Sequence, residues 1–389
     1  MAEKVVIAGA YEMTPGRFGV ESLALFRDVL RGALAEWPVR PQDIDGVLTH
    51  PCGTANAADI YFHDRLTSEL NIRPTFVETM NLGGCTYPAM INRASMAIRE
   101  GRASAVLCIG AGFFMKPGKG GGGGEMMARQ ISHRDLEVPY GTFIPALYGL
   151  IASQYMHEYG VTKEDLARVA VSARKWALIN PQARMHSKGP LTIEDVLASR
   201  PICTPFNYYD CSIPSDGGGA VLVCREDLGR KWAKQPAYVL GYGESHKRGT
   251  VGDPGNLIES GATVSGPRAF SEAGMTPADI QVAQVYDAFS STPLILLENL
   301  GICGPGEAPA WMRAGNADPG GKLPMNTYGG LMSFGHTGDA SGMSLVTEGA
   351  KQVMGIAGPQ QQEKADRALI HGYGGMLYDH ATLILGREG

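Results

Sequence analysis

The chain has 389 residues, of which 44% are hydrophobic, and its 34 Lys and Arg against 39 Asp and Glu give a formal net charge of -5 at pH 7. This length is enough for a large buried core and predicts two or three domains. Because no run of basic residues stands out, the charge pattern argues against a surface that binds nucleic acid. Because no stretch of about 18 apolar residues occurs, we expect no membrane-spanning helix.

The cysteines point to a reducing compartment. The seven cysteines are scattered along the chain, and an odd number without regular spacing is typical of reduced thiols rather than of a disulfide framework. No CxxC pair occurs, so we predict no metal site. The first ten residues have too short an apolar run for a signal peptide and predict a buried strand. We therefore expect a cytoplasmic protein whose partners are small molecules or other proteins.

Short apolar runs alternate with helical patterns along the chain. In chain order they predict a strand at 5–8, helices at 21–36 and 88–100, and strands at 105–109, 220–223, 284–286 and 381–385. Strands alternating with helices indicate an α/β fold with covered sheets.

The order of these patterns repeats within the chain. Each half has a helix, a Pro-x-Asp-Ile segment (Asp43 and Asp279), a Met-Asn pair (Asn81 and Asn326), a glycine-rich elbow, a helix and a strand. The offset grows from 236 residues between the two aspartates to 245 between the two asparagines, as expected when loops differ and the core units correspond. We therefore predict two similar halves that face each other, with an active site at their junction.

Three units follow from this organisation. The N-terminal half is predicted to comprise residues 1–114 together with 206–240, and the C-terminal half residues 241–389. Residues 115–205 have poor periodicity and predict an inserted loop domain.

Cys85 is the first candidate catalytic residue. It follows Gly83 and Gly84, which permit a tight turn, and it precedes an amphipathic helix that Pro88 can start. The N–H groups and dipole of the helix N-terminus would favour the thiolate and create a nucleophile, and the same N–H groups would hold a thioester oxyanion. The alternative is a small buried thiol without a catalytic role.

His336 occupies the corresponding elbow of the second half, between Gly335 and Gly338. A histidine among glycines is poorly explained by core packing. As a base or as a hydrogen-bond donor to a developing oxyanion, it could act with the thiol of Cys85. The alternative is a loop histidine that is hydrogen-bonded to the backbone.

Five segments together resemble the thiolase superfamily, and within it the sterol-carrier-protein-type thiolases and their bacterial acyltransferase relatives. The segments are residues 81–112, 210–223, 285–306, 326–342 and 371–385. The resemblance implies a five-layered αβαβα fold of two pseudo-repeated halves, a loop domain that binds CoA, and acyl transfer through the elbow cysteine. Cys85 matches the acylated cysteine and His336 the histidine of the Gly-His-Pro motif, although Thr337 replaces the proline.

The second reactive cysteine of such thiolases is missing from both of its usual motifs. His371 stands at one of these positions, and Tyr286 and Asp287 stand in the other. We therefore expect His371, Tyr286 or Asp287 to transfer the substrate proton, unless His371 is only a turn histidine and the other two only anchor a turn. Three residues are predicted to contact the substrate: Tyr373 and Gly375 by resemblance, and His50 from its place at a strand end.

The preferred function is an acyl-CoA C-acyltransferase that breaks or forms a carbon–carbon bond of a bulky 3-oxoacyl-CoA through a Cys85 acyl-enzyme. An aromatic compound of the benzoylsuccinyl-CoA type would suit such a site. The alternatives are a retro-aldolase acting on a 3-hydroxyacyl-CoA, such as a steroid side-chain CoA ester, and a non-catalytic acyl-CoA or lipid carrier. No bound cofactor is expected, and CoA serves as co-substrate. The resemblance also implies a homodimer and a small OB-fold subunit with a zinc ribbon.

Overall fold

The computed structural model describes residues 3–20, 22–51, 62–112, 128–129, 131–247, 249–253 and 255–388. Helices, in chain order, are α1 (Ser22–Glu36), α2 (Phe62–Glu69), α3 (Thr86–Arg99), α4 (Ile144–Tyr159), α5 (Lys163–Ile179), α6 (Ile193–Ala198), α7 (Glu226–Trp232), α8 (Ala262–Ala273), α9 (Ser291–Asn299), α10 (Ala308–Arg313) and α11 (Ser341–Met354). Strands are β1 (Val5–Glu12), β2 (Gly46–Thr49), β3 (Phe76–Thr79), β4 (Ala105–Gly112), β5 (Pro201–Cys203), β6 (Phe206–Asn207), β7 (Gly217–Arg225), β8 (Ala237–His246), β9 (Val282–Val285), β10 (Arg367–Gly374) and β11 (Asp379–Gly386).

The large sheet consists of two similar halves joined edge to edge. Its strand order is β3-β2-β4-β7-β1-β8-β11-β10-β9, and β1 joins β8 through two residue pairs, Val6 with Tyr238 and Ile7 with Ala237. In the first half β2 and β4 are parallel, while β7 is antiparallel to both β4 and β1. In the second half β9 and β10 are parallel, while β11 is antiparallel to both β10 and β8. The predicted internal repeat is therefore confirmed for four strands of each half, and β3 at the edge of the first half has no counterpart among the described strands.

Helices cover each half of the sheet, and two helices fill the space between the halves, which join edge to edge at the two β1–β8 pairs. α1 packs on β1, β4 and β7 of the first half, and α8 packs on β8 and β11 of the second half. The elbow helices α3 and α11 lie between the halves, and each contacts strands of both. The layers are thus helix, sheet, helix, sheet and helix, which confirms the predicted five-layered fold.

The repeated aspartates have the same structural role in both halves. Asp43 and Asp279 each end a single 3-10 turn, at Pro41–Asp43 and Pro277–Asp279. Each carboxylate accepts the N–H of the residue three positions earlier, Arg40 at 2.9 Å and Thr276 at 2.8 Å. This capping arrangement leads the chain into the next strand and explains why the motif recurs.

The segment between β4 and β7 contains α4, α5 and α6 and the small β5–β6 sheet. α5 packs against the π-helical turn Gly330–Phe334 of the second half. β8 begins at Ala237, so this strand crosses the boundary predicted between residues 240 and 241. Residues 115–127 and 130 of the predicted loop domain, together with the two residues before it, lie outside the described residues. Over the ranges that the structure describes, no helix combines the length and apolar character that crossing a membrane requires.

Candidate active site

The elbow before α3 has the tight turn that its glycines predict. Gly83 has a φ of 61°, in the left-handed region that glycine adopts without strain. Thr86 closes the turn, because its hydroxyl donates to the carbonyl of Gly83 at 2.6 Å and accepts the N–H of Leu82 at 2.8 Å. Cys85 is thus the residue immediately before the helix, and Pro88 lies in the first helical turn.

The thiol of Cys85 points into packed protein. Cys85 is fully buried, and its side chain packs against Ala89 and Ala381, with Tyr242 at the edge of the cluster. The thiol donates to the carbonyl oxygen of Leu82 at 3.0 Å. These contacts correspond to the alternative interpretation from the sequence, a small buried thiol.

Burial raises the pKa of Cys85 well above its ordinary value, and the negative charges of Asp379 and Glu244 raise it further. The N–H groups of Cys85 and Gly374 oppose this shift but are outweighed. The direction of this shift opposes the expected thiolate at the elbow, because desolvation of the sulfur acts against the stabilisation from the helix N-terminus.

Gly84 faces Tyr286 and Tyr373, whereas the side chain of Cys85 contacts a different part of the second half, at Ala381 and Tyr242. A Cβ atom on Gly84 would lie 2.5 Å from Cζ of Tyr286 and 2.5 Å from the carbonyl oxygen of Tyr373. A Cβ atom on Gly342 would lie 2.2 Å from the carbonyl oxygen of Gly84, and one on Gly372 would lie 2.5 Å from the same oxygen. The backbones of the two halves meet here without a side chain between them. The phenol ring of Tyr286 fills the direction in which a side chain at position 84 would project.

His336 is held by the backbone of the segment before β7. Its N–H donates to the carbonyl of Ile213 at 2.7 Å, and its carbonyl accepts the N–H of Ser215 at 2.9 Å. Gly335, with a φ of 147°, lets the chain turn into this position. Residues 210–223, one of the segments singled out in the sequence, therefore hold the backbone of His336 in place through hydrogen bonds.

Tyr286, His336 and Ser341 form a hydrogen-bonded group next to Gly84. Nδ1 of His336 accepts the N–H of Gly338 at 3.3 Å, so the neutral ring carries its proton on Nε2. Nε2 lies 3.0 Å from Oη of Tyr286 and donates to it. The hydroxyl of Ser341 lies 2.6 Å from the same Oη. The group combines a phenol with two polar neighbours at the junction of the halves, where the sequence predicts the active site.

His336 is neutral at physiological pH. Although its ring is partly exposed, the surrounding protein desolvates it and lowers its pKa to about 4. A neutral imidazole with its proton on Nε2 can donate to a phenolate or to an oxyanion. The predicted role of His336 as a hydrogen-bond donor is consistent with this geometry.

Asp287 anchors the Gly330–Phe334 turn, which comes just before His336 in the chain. It is fully buried, and its Oδ1 accepts the N–H of Leu331 at 2.8 Å. A Cβ atom on Gly330 would collide with its Oδ2. Burial raises the pKa of Asp287 to about 8, so the carboxyl is protonated at neutral pH. Of the two interpretations from the sequence, these contacts support the anchor of a turn.

His371 lies on the other face of β10 from the elbow. Neighbouring side chains of a strand point to opposite faces, and a Cβ atom on Gly372 would lie 2.9 Å from Cα of Cys85. The His371 ring instead contacts Thr382, 2.8 Å from Nδ1, and His380, 3.1 Å from Nε2. Its burial lowers its pKa well below the ordinary value. The described contacts of the His371 ring are with Thr382 and His380, while its carbonyl accepts the N–H of Tyr286 at 3.0 Å. Its acid/base role stays a prediction.

His50 is likewise committed to local contacts. It is buried, with Nδ1 2.6 Å from the carbonyl of Pro51 and Nε2 3.1 Å from that of Ala111. Its ring packs between those of Phe26 and Tyr87. The predicted substrate contact of His50 remains untested.

Aromatic side chains line one side of the group. This aromatic wall comprises Tyr148, Phe206, Phe289 and Tyr373, all of them buried. The Tyr373 ring lies 4.9 Å from that of Tyr286, and the Tyr148 ring lies 4.4 Å from that of Phe289. The Tyr148 hydroxyl donates to the carbonyl of Gly375. Of the two positions predicted for substrate contact, Tyr373 thus lies beside Tyr286 and Gly375 lies beside Tyr148 of the aromatic wall. Their role remains a prediction.

Two residues of this group were not predicted. The sequence indicates Gly84 only as a turn residue before Cys85, and Ser341 was not among the candidate residues. The spacing of Ser341, five residues after His336 at the start of the predicted helix, was the available signal. Among the described residues, no three or more His, Cys, Asp or Glu side chains are grouped to hold a metal ion.

Comparison with known proteins places this geometry in a family. Residues 243–387 match the family model described as thiolase C-terminal domain-like. The chain is 32% identical over 388 residues to a steroid side-chain-cleaving aldolase of Thermomonospora curvata, covering 95% of this chain and 94% of the relative. It is 34% identical over 247 residues to the benzoylsuccinyl-CoA thiolase subunit BbsB of Thauera aromatica, covering 62% of this chain and 63% of the relative.

The solved structure of the Ltp2-ChsH2(DUF35) aldolase superposes with a TM-score of 0.87 at 28% identity and covers 99% of this chain and 98% of that one. The chain therefore belongs to the thiolase superfamily of enzymes, in the branch of the sterol-carrier-protein-type thiolases.

Proposed function

We propose that the protein is a carbon–carbon lyase of the retro-aldol type, which cleaves a 3-hydroxyacyl-CoA without an acyl-enzyme. One observation carries this proposal: the elbow presents Gly84 to the Tyr286–His336 pair, while the thiol of Cys85 is turned into the core. An acid/base pair without a facing nucleophile suits proton transfer better than acyl transfer. The similarity to the steroid side-chain-cleaving aldolase over 95% of the chain supports the same conclusion.

Tyr286 moves one proton in this reaction. As the phenolate, held by Nε2–H of His336 and the hydroxyl of Ser341, it removes the proton of the 3-hydroxyl group of the substrate. The C3 oxygen forms a carbonyl as the bond between C2 and C3 breaks, and that electron pair passes into the thioester as an enolate. Tyr286 then returns the proton to C2. The products are a ketone or aldehyde and a shortened acyl-CoA, so atoms and charge balance without an oxidant.

The substrate in this proposal has a bulky, polycyclic acyl group. The aromatic wall offers flat apolar faces beside the reacting pair. The similar aldolase of Thermomonospora curvata is named for cleavage of a steroid side chain. A steroid side-chain CoA ester with a hydroxyl group on C3 of the acyl chain is therefore the substrate of first choice, and CoA is the carrier rather than a resident cofactor.

We further propose that the protein works in the cytoplasm as a homodimer that also binds a DUF35-type subunit. The similar solved structure is named as a complex with such a partner, and BbsB is named as a subunit. In that assembly the partner would be the small OB-fold protein with a zinc ribbon that the family resemblance implies.

Acyl transfer through Cys85 is the second candidate function. The observation in its favour is that Cys85 directly precedes α3, and its own N–H and that of Gly374 lower the pKa of the sulfur, against the larger effect of burial. The similarity to the benzoylsuccinyl-CoA thiolase subunit supports it as well. This chemistry requires the thiol to rotate out of its packing and lose its proton.

The two functions differ in their dependence on Cys85. The protein, produced together with a DUF35-type subunit, is incubated with a 3-hydroxyacyl-CoA steroid ester, and ketone and acyl-CoA are measured by chromatography. Cys85→Ala should retain cleavage within about threefold, as should the matched buried control Cys108→Ala.

Intact-protein mass spectrometry after incubation with acyl-CoA thioesters completes the test. An acyl adduct that is absent in Cys85→Ala, together with loss of turnover in that variant, would establish acyl transfer instead of the proposed lyase. Tight binding of the CoA ester with neither turnover nor adduct would identify a carrier.

A further inference from the structure

Ser341 is a buried polar residue in direct contact with the phenol of Tyr286. It is the first residue of α11, and it is fully buried. Its Oγ lies 2.6 Å from Oη of Tyr286, a shorter separation than the 3.0 Å from Oη to Nε2 of His336. The hydroxyl oxygen of Tyr286 therefore has at least two hydrogen-bonding neighbours. They are His336 and Ser341, the first and last residues of one short segment of the chain.

The direction of these hydrogen bonds depends on the charge of the phenol. Nε2 of His336 donates to Oη in either state, because Nδ1 already accepts the N–H of Gly338. A neutral Tyr286 donates its own proton to Ser341, whereas a phenolate accepts the proton of the Ser341 hydroxyl. The serine can reverse its hydrogen bond by rotating its hydroxyl, so it follows the proton without any movement of the backbone.

The position of Ser341 adds a second effect. The N-terminus of a helix carries a partial positive charge that favours a nearby anion. α11 has 14 residues and begins at Ser341, whose side chain contacts the phenol, so the phenol oxygen lies close to the positive end of this helix. Gly342, the next residue, packs against the carbonyl of Gly84, which fixes this helix end to the elbow.

We propose that Ser341 is a positioning residue that stabilises the base form of Tyr286 and thereby sets the lower pH limit of the reaction. This inference rests on the proposed lyase function and adds to it a role for Ser341, which is to stabilise the phenolate of Tyr286. With Ser341 removed, the phenolate keeps the hydrogen bond from His336 and loses one of its donors, so ionisation of Tyr286 requires a higher pH.

The test is the pH dependence of cleavage by Ser341→Ala, measured with the protein, its DUF35-type subunit and the 3-hydroxyacyl-CoA steroid ester. Ser341→Ala removes one hydrogen bond to a charged oxygen. In a plot of kcat against pH, the acidic limb should therefore move to higher pH by roughly one pH unit. At pH values below this limb, kcat should fall roughly tenfold. KM should change less than about twofold, and the high-pH plateau should recover.

A matched control and a conservative variant separate this effect from loss of structure. Ser344 is also buried on α11, but its hydroxyl donates to Glu12 at 2.7 Å, so Ser344→Ala should leave the limb in place. Ser341→Cys retains a weaker donor of similar size and should shift the limb by an intermediate amount. If Ser341→Ala does not fold, the intermediate shift in Ser341→Cys tests the proposal alone.

A profile of Ser341→Ala or Ser341→Cys that coincides with that of the unmodified protein would overturn the proposal. A change in KM without a shift of the limb would do the same. The role of Ser341 and the lyase function can fail separately. If Tyr286→Phe kept full activity, both proposals would be wrong. If Tyr286→Phe were inactive but the pH profile of Ser341→Ala were not shifted, only the proposed role of Ser341 would be wrong.

Discussion

Replacing Tyr286 with Phe removes a single oxygen and tests the reacting pair directly. The ring is retained, so the packing against Gly84 and the aromatic contact with Tyr373 stay the same. Oη is lost as a hydrogen-bond partner for His336, at 3.0 Å, and for Ser341, at 2.6 Å. His336 is partly exposed and can turn to water, whereas Ser341 is fully buried and cannot.

The expected losses follow from these contacts. Leaving one buried polar group without its partner should lower the free energy of unfolding by about 1–3 kcal/mol. Loss of the general acid/base should reduce the cleavage rate by about 10²- to 10⁴-fold, equivalent to about 3–5 kcal/mol in the activation free energy. The two effects are measured by denaturant unfolding and by chromatographic detection of the ketone product.

Tyr155→Phe is the matched control. Tyr155 is fully buried in α4, and its hydroxyl donates to Glu298 at 2.5 Å, so the variant loses a comparable hydrogen bond elsewhere in the fold. It should lose stability but keep its cleavage rate per folded molecule. The assignment of Tyr286 would be refuted if Tyr286→Phe retained the rate, or if both variants lost activity in proportion to stability.

Three further predictions concern packing and protonation. Gly84→Ala should displace Tyr286 and reduce the cleavage rate by about 10²-fold. Gly252→Ala is the control and should stay active, because a Cβ atom there would meet its nearest neighbour at 3.6 Å. Equal cleavage rates for the two variants would contradict the predicted displacement of Tyr286. Because burial raises the pKa of Asp287 to about 8, the free energy of unfolding of Asp287→Asn at pH 7 should lie within about 1 kcal/mol of that of the unmodified protein. That of Asp287→Ala should be lower by about 1–3 kcal/mol. If denaturant unfolding showed Asp287→Asn to be the less stable variant, Asp287 would not be an anchor of the turn. Burial also raises the pKa of Glu12 from 4.5 to about 7, so the folded state keeps a proton that the unfolded state loses. Stability should therefore fall by about 3 kcal/mol as pH rises from about 4.5 to 7, and this slope should be absent in Glu12→Gln.

The fold could be predicted because its signals are repeated. The capping aspartates Asp43 and Asp279 and the two glycine-rich elbows recur in the same order in both halves, so each half supports the interpretation of the other. His336 could be found for the same reason, since its elbow corresponds to that of Cys85. The placement of both elbow helices between the sheets follows from this repeat.

The orientation of single side chains could not be predicted from the sequence. At the elbow, a shift of one residue decides whether Gly84 or Cys85 faces Tyr286, and the sequence motif is compatible with both. On β10 the same shift separates His371 from Gly372, because neighbouring residues of a strand point to opposite faces. The pKa of Cys85 depends on burial by Ala381 and Tyr242, which lie on distant strands and which only the tertiary structure brings together.

The direct meeting of backbones at Gly84, Gly342 and Gly372 has a consequence for how the enzyme can diversify. A side chain cannot be added at these points without forcing main-chain atoms apart, and main chain yields far less readily than side chain. Natural variation in substrate choice should therefore accumulate in the surrounding loops and aromatic residues, while this joint stays unchanged. Laboratory evolution directed at new acyl groups is best aimed at the same periphery.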